Sequence, residues 1–483
     1  MPIRVLLVVV VWLVVGVPGF SQARAADRPN VLLICIDDLN DWVGCMDGHP
    51  QALTPNIDRL AQRGVLFTNA HCQSPVCWAS RASFMSGKLP STTGVYLLGG
   101  DFRESPALKD AKQLADLFND AGYVTMGTGK IYHNRHGTET FQAYGPKQSF
   151  GPIPTQDEGG KINYKQGHPL WDWGAYPDDE TVKPDYRIAS WAAEQLKKQH
   201  DKPLFLAVGM CRPHVPMYAP PKYFDMLPPL DKIVLPAVKD GDRDDLPDYG
   251  KRLTAGFPAP RHAWFLQREG DQQWRKAVRA YLASIAFADA QVGRVLDALD
   301  ESGRAGNTVV VLLSDHGFHM GEKQRWAKRS LWEESTKVPF IIAAPGMDPG
   351  RRCSQPAGLI DMVPTLIELC GLADPGGLDG ATLVPQLKDV QTPHAPAITT
   401  WWVGNHAVRS ARYRYIRYAD GSEELYDHDR DPNEWENLAG RPEYVGVIAE
   451  HRAHVPKRDH PALPGNAALG VAEEDRAFFG VRH

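Results

Sequence analysis

The sequence predicts an α/β protein: a large, mostly parallel sheet flanked by helices, followed by a smaller C-terminal α+β subdomain containing an antiparallel sheet. Three observations carry the prediction. Short runs of branched apolar residues alternate with stretches of helical periodicity, the pattern of a sheet covered on both faces. Chemistry-bearing polar residues follow four of those runs. Beyond about residue 385 the pattern changes to short alternating segments joined by turn residues.

The first 25 residues describe an address rather than a fold. Arg4 precedes an apolar run from Val5 to Val17, then Pro18, Gly19 and a small-residue site at Ala23-Arg24-Ala25. This is the pattern of a secretory signal peptide, too short and wrongly flanked to span a membrane. It predicts a secreted or periplasmic protein, cleaved near Ala25, with no transmembrane segment. The division that follows is 1–25 signal peptide, 26–385 catalytic domain and 386–483 C-terminal subdomain.

The predicted strands are Asn30 to Ile36 (NVLLICI), Tyr123 to Met126 (YVTM), Pro203 to Val208 (PLFLAV), Thr308 to Leu313 (TVVVLL) and Val338 to Ala343 (VPFIIA). Thr54-Pro55 reads as an N-cap followed by proline at the first helical position, with Gly64 beyond the end. From Tyr281 to Glu301, Ile285, Ala288, Val292, Val295, Leu296 and Leu299 recur at three and four, which predicts an amphipathic helix. In the C-terminal part, Ala407 to Arg412, Tyr413 to Tyr418, a turn at Asp420-Gly421 and Glu424 to Tyr426 read as hairpins. Two long Gly-, Pro- and aromatic-rich stretches, Asn134 to Lys183 and Pro213 to Pro260, read as functional walls.

A net charge of −5 gives no support for a nucleic-acid partner, so any anion site is local. Seven cysteines in a chain of 483 residues are too few for a disulfide scaffold, and the odd number leaves at least one thiol over. Cys77 is the candidate.

The strands' sequels matter most. Asp37-Asp38 follow the first, Lys130 and His133 the second, Arg212 and His214 the third, and Asp315-His316 the fourth. In a parallel sheet these emerge at one rim, where open α/β folds place their sites. Three carboxylates meeting at one place repel unless a cation lies between them, and hard oxygen ligands suit Ca²⁺, with Mg²⁺ the second choice. His316 either touches that metal or steers Asp315. Arg81, Lys130, Lys328, His133 and His214 supply an opposing layer of positive charge and donors, the arrangement required by a tetrahedral oxyanion ester, phosphate or sulfate. Trp171, Trp173, Trp401 and Trp402 either stack on sugar rings or pack in the core.

These residues carry a family resemblance. Cys77-Trp78-Ala79-Ser80-Arg81, continuing to Met85-Ser86-Gly87, resembles the sulfatase signature Cys-x-Pro/Ala-Ser-Arg, and GYVTMGTGKIYH at 122 to 133 resembles the second signature. Asp37-Asp38, TPNIDRLA at 54 to 61, SDHG at 314 to 317 and ELYDHDRDPNEWENLA at 424 to 439 match in the same order. CRPHVP at 211 to 216, the WAK of Trp326 to Lys328, and His316 in place of the commoner asparagine look most like the iduronate-2-sulfatase-like branch, within the alkaline-phosphatase-like superfamily.

The resemblance implies conversion of Cys77 to Cα-formylglycine by a formylglycine-generating or an anaerobic maturation enzyme. Of the hydrate's two hydroxyls, one attacks sulfur and the other later expels sulfate. It further implies that Asp37, Asp38, Cys77, Asp315 and His316 surround Ca²⁺, that Arg81 and His133 hold the diol, and that Lys130 and Lys328 grip the sulfate. His214 is then the proton donor to the leaving alcohol or a sulfate contact. Ala79 departs from the usual proline of the motif and leaves the modifying system open. The implied substrate is a sulfated sugar or polysaccharide. The alternatives are a phosphodiester or phosphonate monoester hydrolase of the same superfamily, and a non-catalytic protein that binds sulfated glycans.

Overall fold

A computed structural model describes residues 28–99, 101–133, 137–255, 260–266 and 271–463. The predicted leader lies outside the described residues, as does the end of the C-terminal subdomain. Among the described residues no helix is long and apolar enough to cross a membrane.

Eight strands build the central sheet: β1 (Asn30–Ile36), β2 (Val65–His71), β3 (Val124–Gly129), β4 (Ala143–Lys147), β5 (Leu204–Met210), β6 (Thr308–Ser314), β7 (Phe340–Ala343) and β8 (Arg351–Gly358). Their order is β8-β2-β7-β6-β1-β5-β3-β4. Along β1, Val31, Leu33 and Cys35 enter one apolar cluster while Leu32, Ile34 and Ile36 enter the other, the period of two that a strand imposes. Burial of each such side chain contributes about 1.5–3 kcal/mol.

The helices that cover the two faces are α1 (Pro55–Ala61), α2 (Cys77–Ser86), α3 (Leu114–Asp120), α4 (Pro184–Lys197), α5 (Gln272–Glu301) and α6 (Met362–Cys370). α1, α4 and α5 pack on the face of Leu32 and Ile34, and α2, α3 and α6 on the face of Leu33. α5 starts nine residues before the predicted Tyr281, because Trp274, Ala277 and Val278 continue its buried stripe. α1 ends at Ala61, before Gly64 as predicted.

β1 lies parallel to β5 and β6, with Ile36 level with Met210 and Ser314, and β3 lies parallel to β5, with Gly129 level with Gly209. The four sequels therefore leave the sheet at one rim. The predicted strand at Val338 to Ala343 is the exception to the parallel reading: β7 runs antiparallel to both β6 and β2. β6 ends at the rim and β7 starts there, so the chain between them, residues 315–339, never crosses a face and stays beside the site. The sequence did not disclose β2, β4 and β8. β4 (AYGPK) and β8 (RRCSQPAG) form the two edges, where Gly, Pro and charge are tolerated.

The C-terminal sheet is a four-stranded antiparallel meander, β9 (Ala397–Thr400), β10 (His406–Arg409), β11 (Tyr413–Arg417) and β12 (Glu423–Asp427). The turn at Asp420-Gly421 closes β11 to β12, with Gly421 at φ +88°. Val408, Tyr415 and Leu425 pack on Ile448 of α7 (Val445–Arg452). Ala407, Ile416 and Tyr426 point the other way, into the main core.

Candidate active site

The rim places Asp37 and Asp38 after β1, Lys130 and His133 after β3, His214 after β5, and Asp315 and His316 after β6. Lys328 arrives on the segment before β7, and Cys77 and Arg81 come from α2. Cys77 is the first residue of α2, after an extended Val76, and all ten residues of that helix are buried. The positive end of the helix dipole thus lies at Cys77. Asp38 takes a left-handed backbone (φ +61°), fixed by its N–H to Asp315 Oδ1 (3.1 Å) and by Tyr281 Oη donating to its carbonyl (2.7 Å).

Around Cys77 Sγ lie Lys328 Nζ at 3.0 Å and His316 Nε2 at 3.1 Å, with Asp38 Oδ1 at 4.0 Å and His133 within hydrogen-bonding reach. Lys328 Nζ also meets Asp38 Oδ1 at 2.5 Å, and Lys130 Nζ meets Asp37 Oδ2 at 2.5 Å. Arg81 spends its guanidinium on Asp315 (Nε, 2.9 Å), Asp37 (Nη2, 3.4 Å) and the carbonyls of Lys130 and Ile131. Among the described residues none of these bonds goes to Cys77, with which its charge interacts. Ligand atoms of Asp37, Asp38, Cys77 and His214 all lie within 4.8 Å of one another, as do those of Asp37, Cys77, Asp315 and His316.

None of the seven cysteines is bonded to another. Burial pushes the thiols of Cys35, Cys45 and Cys370 up to about 12, and those of Cys72, Cys211 and Cys353 upward as well. At Cys77 burial pulls the same way, but the charges of Lys130, Lys328 and His316 override it and hold the thiol well below its ordinary value. Only this cysteine sits in an anion-stabilising field. Burial alone would also lower His316, and the Asp315 carboxylate raises it to about 9. Nδ1 of His316 faces the Gly317 carbonyl (3.0 Å) and that of His214 the Val215 carbonyl (2.6 Å). A carbonyl only accepts, so Nδ1 carries a proton in both, in the neutral and the doubly protonated ring alike, and Nε2 is the atom that faces the site.

Residues 29–372 match the model of the sulfatase family, and residues 321–459 match that of the N-sulphoglucosamine sulphohydrolase C-terminal region. The chain belongs to the sulfatase family. It is 39% identical over 447 residues to a sulfatase of Formosa agariphila, covering 90% of this chain and 87% of the relative. It is 33% identical over 405 residues to iduronate 2-sulfatase of Mus musculus, covering 73% of this chain and 70% of that protein. The solved structure of a 2-O GAG sulfatase superposes with a TM-score of 0.68 at 25% identity, covering 88% of this chain and 90% of the other. The protein is accordingly a sulfuric ester hydrolase on an alkaline-phosphatase-like fold.

In this sulfatase all ten predicted site residues converge, and sequence reasoning missed what the residues behind them do. Arg212 is the clearest. Its Nη1 donates to the His214 carbonyl (3.0 Å) and its Nη2 to the Phe150 carbonyl (2.6 Å), while its own backbone N–H is held by Asp185 (2.9 Å). Phe150 in turn stacks on the His214 ring at 4.4 Å. Phe150 lies in a loop without periodicity, so no local signal marked it; Arg212 was named among the residues that follow the third strand, but without the role its contacts give it. Ser80 Oγ similarly donates to the Asp315 carbonyl (2.5 Å). The four tryptophans take the core alternative: Trp171, Trp173, Trp401 and Trp402 are all buried, and Trp173 stacks on Phe265 at 5.3 Å.

Proposed function

We propose that this sulfatase hydrolyses a sulfate ester on a sugar ring, with an oxygen nucleophile made from Cys77 and one bound Ca²⁺. The observation that carries the reading is the cage around Cys77 Sγ, with Lys328 Nζ at 3.0 Å and His316 Nε2 at 3.1 Å, on a rim of three fully buried carboxylates. A thiolate is a soft nucleophile in a hard site. Cα-formylglycine at position 77, once hydrated, supplies a hard oxygen instead.

The donor set fits a hard cation. Asp38 Oδ2 is buried with no hydrogen-bond partner among the described residues, and His316 directs Nε2, whose proton a bound cation would displace, toward Asp38, Asp315 and residue 77. Ca²⁺ accepts so mixed and crowded a set more readily than Mg²⁺, whose octahedral demand is stricter, and its charge would polarise the ester oxygens. Arg81 locks Asp37 and Asp315 in place. His133 orients the oxygen at residue 77. Lys130 and Lys328 neutralise the sulfate oxygens, and His214 gives its Nε2 proton to the departing sugar oxygen.

Likeness to iduronate 2-sulfatase and to a 2-O GAG sulfatase favours a sulfated saccharide as substrate. The leader pattern at residues 1–25 favours export, and maturation of Cys77 requires a modifying enzyme as a partner.

Mass spectrometry of the peptide holding Cys77 is the direct test: the aldehyde is expected, and an intact thiol in active enzyme overturns the nucleophile. Cys77→Ala is expected to lower kcat on aryl sulfates by at least about 10³-fold, as loss of a nucleophile does, with an unchanged fold. Parallel assays on aryl phosphate and phosphonate monoesters are expected to give much smaller kcat/KM than the sulfate. Addition of Ca²⁺ to chelator-treated protein is expected to raise Tm, by RT ln(1 + [Ca²⁺]/Kd) in free energy, and Asp38→Asn is expected to abolish that rise.

A further inference from the structure

Between the proton donor and one of the two sulfate-gripping lysines stands a single aromatic ring. Phe150 lies in the loop after β4 and stacks on the His214 ring, with centroids 4.4 Å apart and planes 22° from parallel. Lys130 Nζ lies over the same ring, 5.2 Å from its centroid. Lys130 follows β3 and His214 follows β5, so the two meet through a residue that belongs to neither segment. The loop that carries the ring is tied at two points: the Phe150 carbonyl accepts from Arg212 Nη2 (2.6 Å), and Gln148 Nε2 donates to the His133 carbonyl (2.5 Å).

Polar contacts alone leave the geometry of both groups open. His214 has Nδ1 on the Val215 carbonyl (2.6 Å), and one hydrogen bond at one edge does not set the tilt of a ring. The Asp38 carboxylate, with Oδ2 3.8 Å from Nε2, pulls that edge toward the carboxylates. A stacked ring fixes the plane, and with it the direction in which Nε2 points. Lys130 has the Asp37 carboxylate at 2.5 Å, which engages one of the three donors of its ammonium. The face of Phe150 attracts the same charge and adds no negative group where the sulfate oxygens must arrive. A carboxylate in that place would repel the substrate, and an aliphatic side chain has no face to offer either partner.

We propose that Phe150 is a positioning residue that couples the two ends of the reaction: it aligns His214 on the leaving oxygen and holds the Lys130 ammonium beside the sulfate. The proposal rests on the roles given above to His214 and Lys130 and adds the residue that sets their mutual geometry.

The test measures kcat and KM on a sugar sulfate and on 4-nitrophenyl sulfate, together with the inhibition constant of inorganic sulfate, which has no leaving group and so reports the lysine side alone. Phe150→Leu is expected to lower kcat by about 30-fold on the sugar sulfate and by a few-fold on the aryl ester, and to raise the sulfate constant by about tenfold. Phe150→Tyr, which keeps the ring, is expected to recover most of both effects. In a His214→Ala background Phe150→Leu is expected to lose its dependence on the leaving group and to keep its effect on sulfate. Phe150→Met serves in place of Phe150→Leu if the latter does not fold. Equal losses on the two esters, an unchanged sulfate constant, or a tyrosine variant no better than the leucine one overturns the coupling and leaves Phe150 as packing. If His214→Ala itself shows no dependence on the leaving group, the reading of His214 as proton donor fails instead, and absence of wild-type turnover on every sulfate ester overturns the proposed reaction.

Discussion

His214, the proposed proton donor, illustrates how little of such a residue's role rests on its own side chain. Its Nδ1 is committed to a carbonyl, its ring is stacked on Phe150, and both backbones are pinned by one guanidinium, that of Arg212. Arg212 is a positioning residue, because it touches neither Cys77 nor the carboxylates. A proton donor matters in proportion to the basicity of the leaving group. His214→Ala is therefore expected to cost about 10²–10⁴-fold on a sugar or alkyl sulfate and far less on 4-nitrophenyl sulfate, whose phenolate leaves without a proton. Arg212→Lys, which cannot bridge two carbonyls, is expected to show the same selectivity in milder form. A loss independent of the leaving group would mean that both residues serve binding or folding only.

At the scale of elements, the rim depends on how closely β3 and β5 approach at their ends. A Cβ on Gly209 would lie 2.2 Å from the Lys130 backbone, and one on Gly129, at φ +73°, 2.0 Å from the Gly209 carbonyl oxygen. Only glycines permit this, and the approach sets where Lys130 leaves β3 to meet Asp37. Gly209→Ala is expected to destabilise the fold by about 1–3 kcal/mol, the usual cost of overpacking, and to lower kcat further than that stability loss explains. Urea denaturation and kcat measured on the same preparation separate the two effects. The reversed β7 is the other such element, since it returns the chain from the rim and keeps residues 315–339, and with them Lys328, at the site.

At the scale of the whole molecule, the C-terminal sheet is joined to the rim segment by a buried ionic cluster. Glu333 meets Arg409 (3.2 Å) and Arg414, while Glu434 meets His428 (3.0 Å) and, as an ion pair rather than an aligned hydrogen bond, Arg414 Nε (2.6 Å). Burial alone would raise both carboxyls. Arg409, His428 and Arg414 overcome it at Glu333, and Arg414 and His428 do so at Glu434, so both lie below their ordinary 4.5. A carboxylate whose pKa is depressed by folding adds stability that is complete above its unfolded pKa and is lost as pH falls through its folded value. Thermal stability is thus expected to lose the contribution of these two acids only once pH falls below about 4.5. Glu434→Gln is expected to cost about 3 kcal/mol at pH 7, because it leaves Arg414 buried and underpaired, and to flatten the acid limb. An unchanged acid limb in that variant would remove the cluster from the account.

The sequence by itself determined most of the element types, the parallel core and the ten candidate residues that meet at the rim, because strand and helix periods are local and polar residues immediately follow the apolar runs that carry them there. It also carried the sulfatase signature around Cys77, which is a contiguous string. Only the tertiary structure decided the direction of β7, the edge strands β4 and β8 with their strand-poor compositions, and the burial of the tryptophans. The same holds for the company each site residue keeps: Arg81 on two carboxylates, Lys328 on Cys77 and Phe150 on His214. Those depend on which distant segments pack together, and a pairing across 251 residues, such as Lys328 with Cys77, leaves no trace in the local pattern of either.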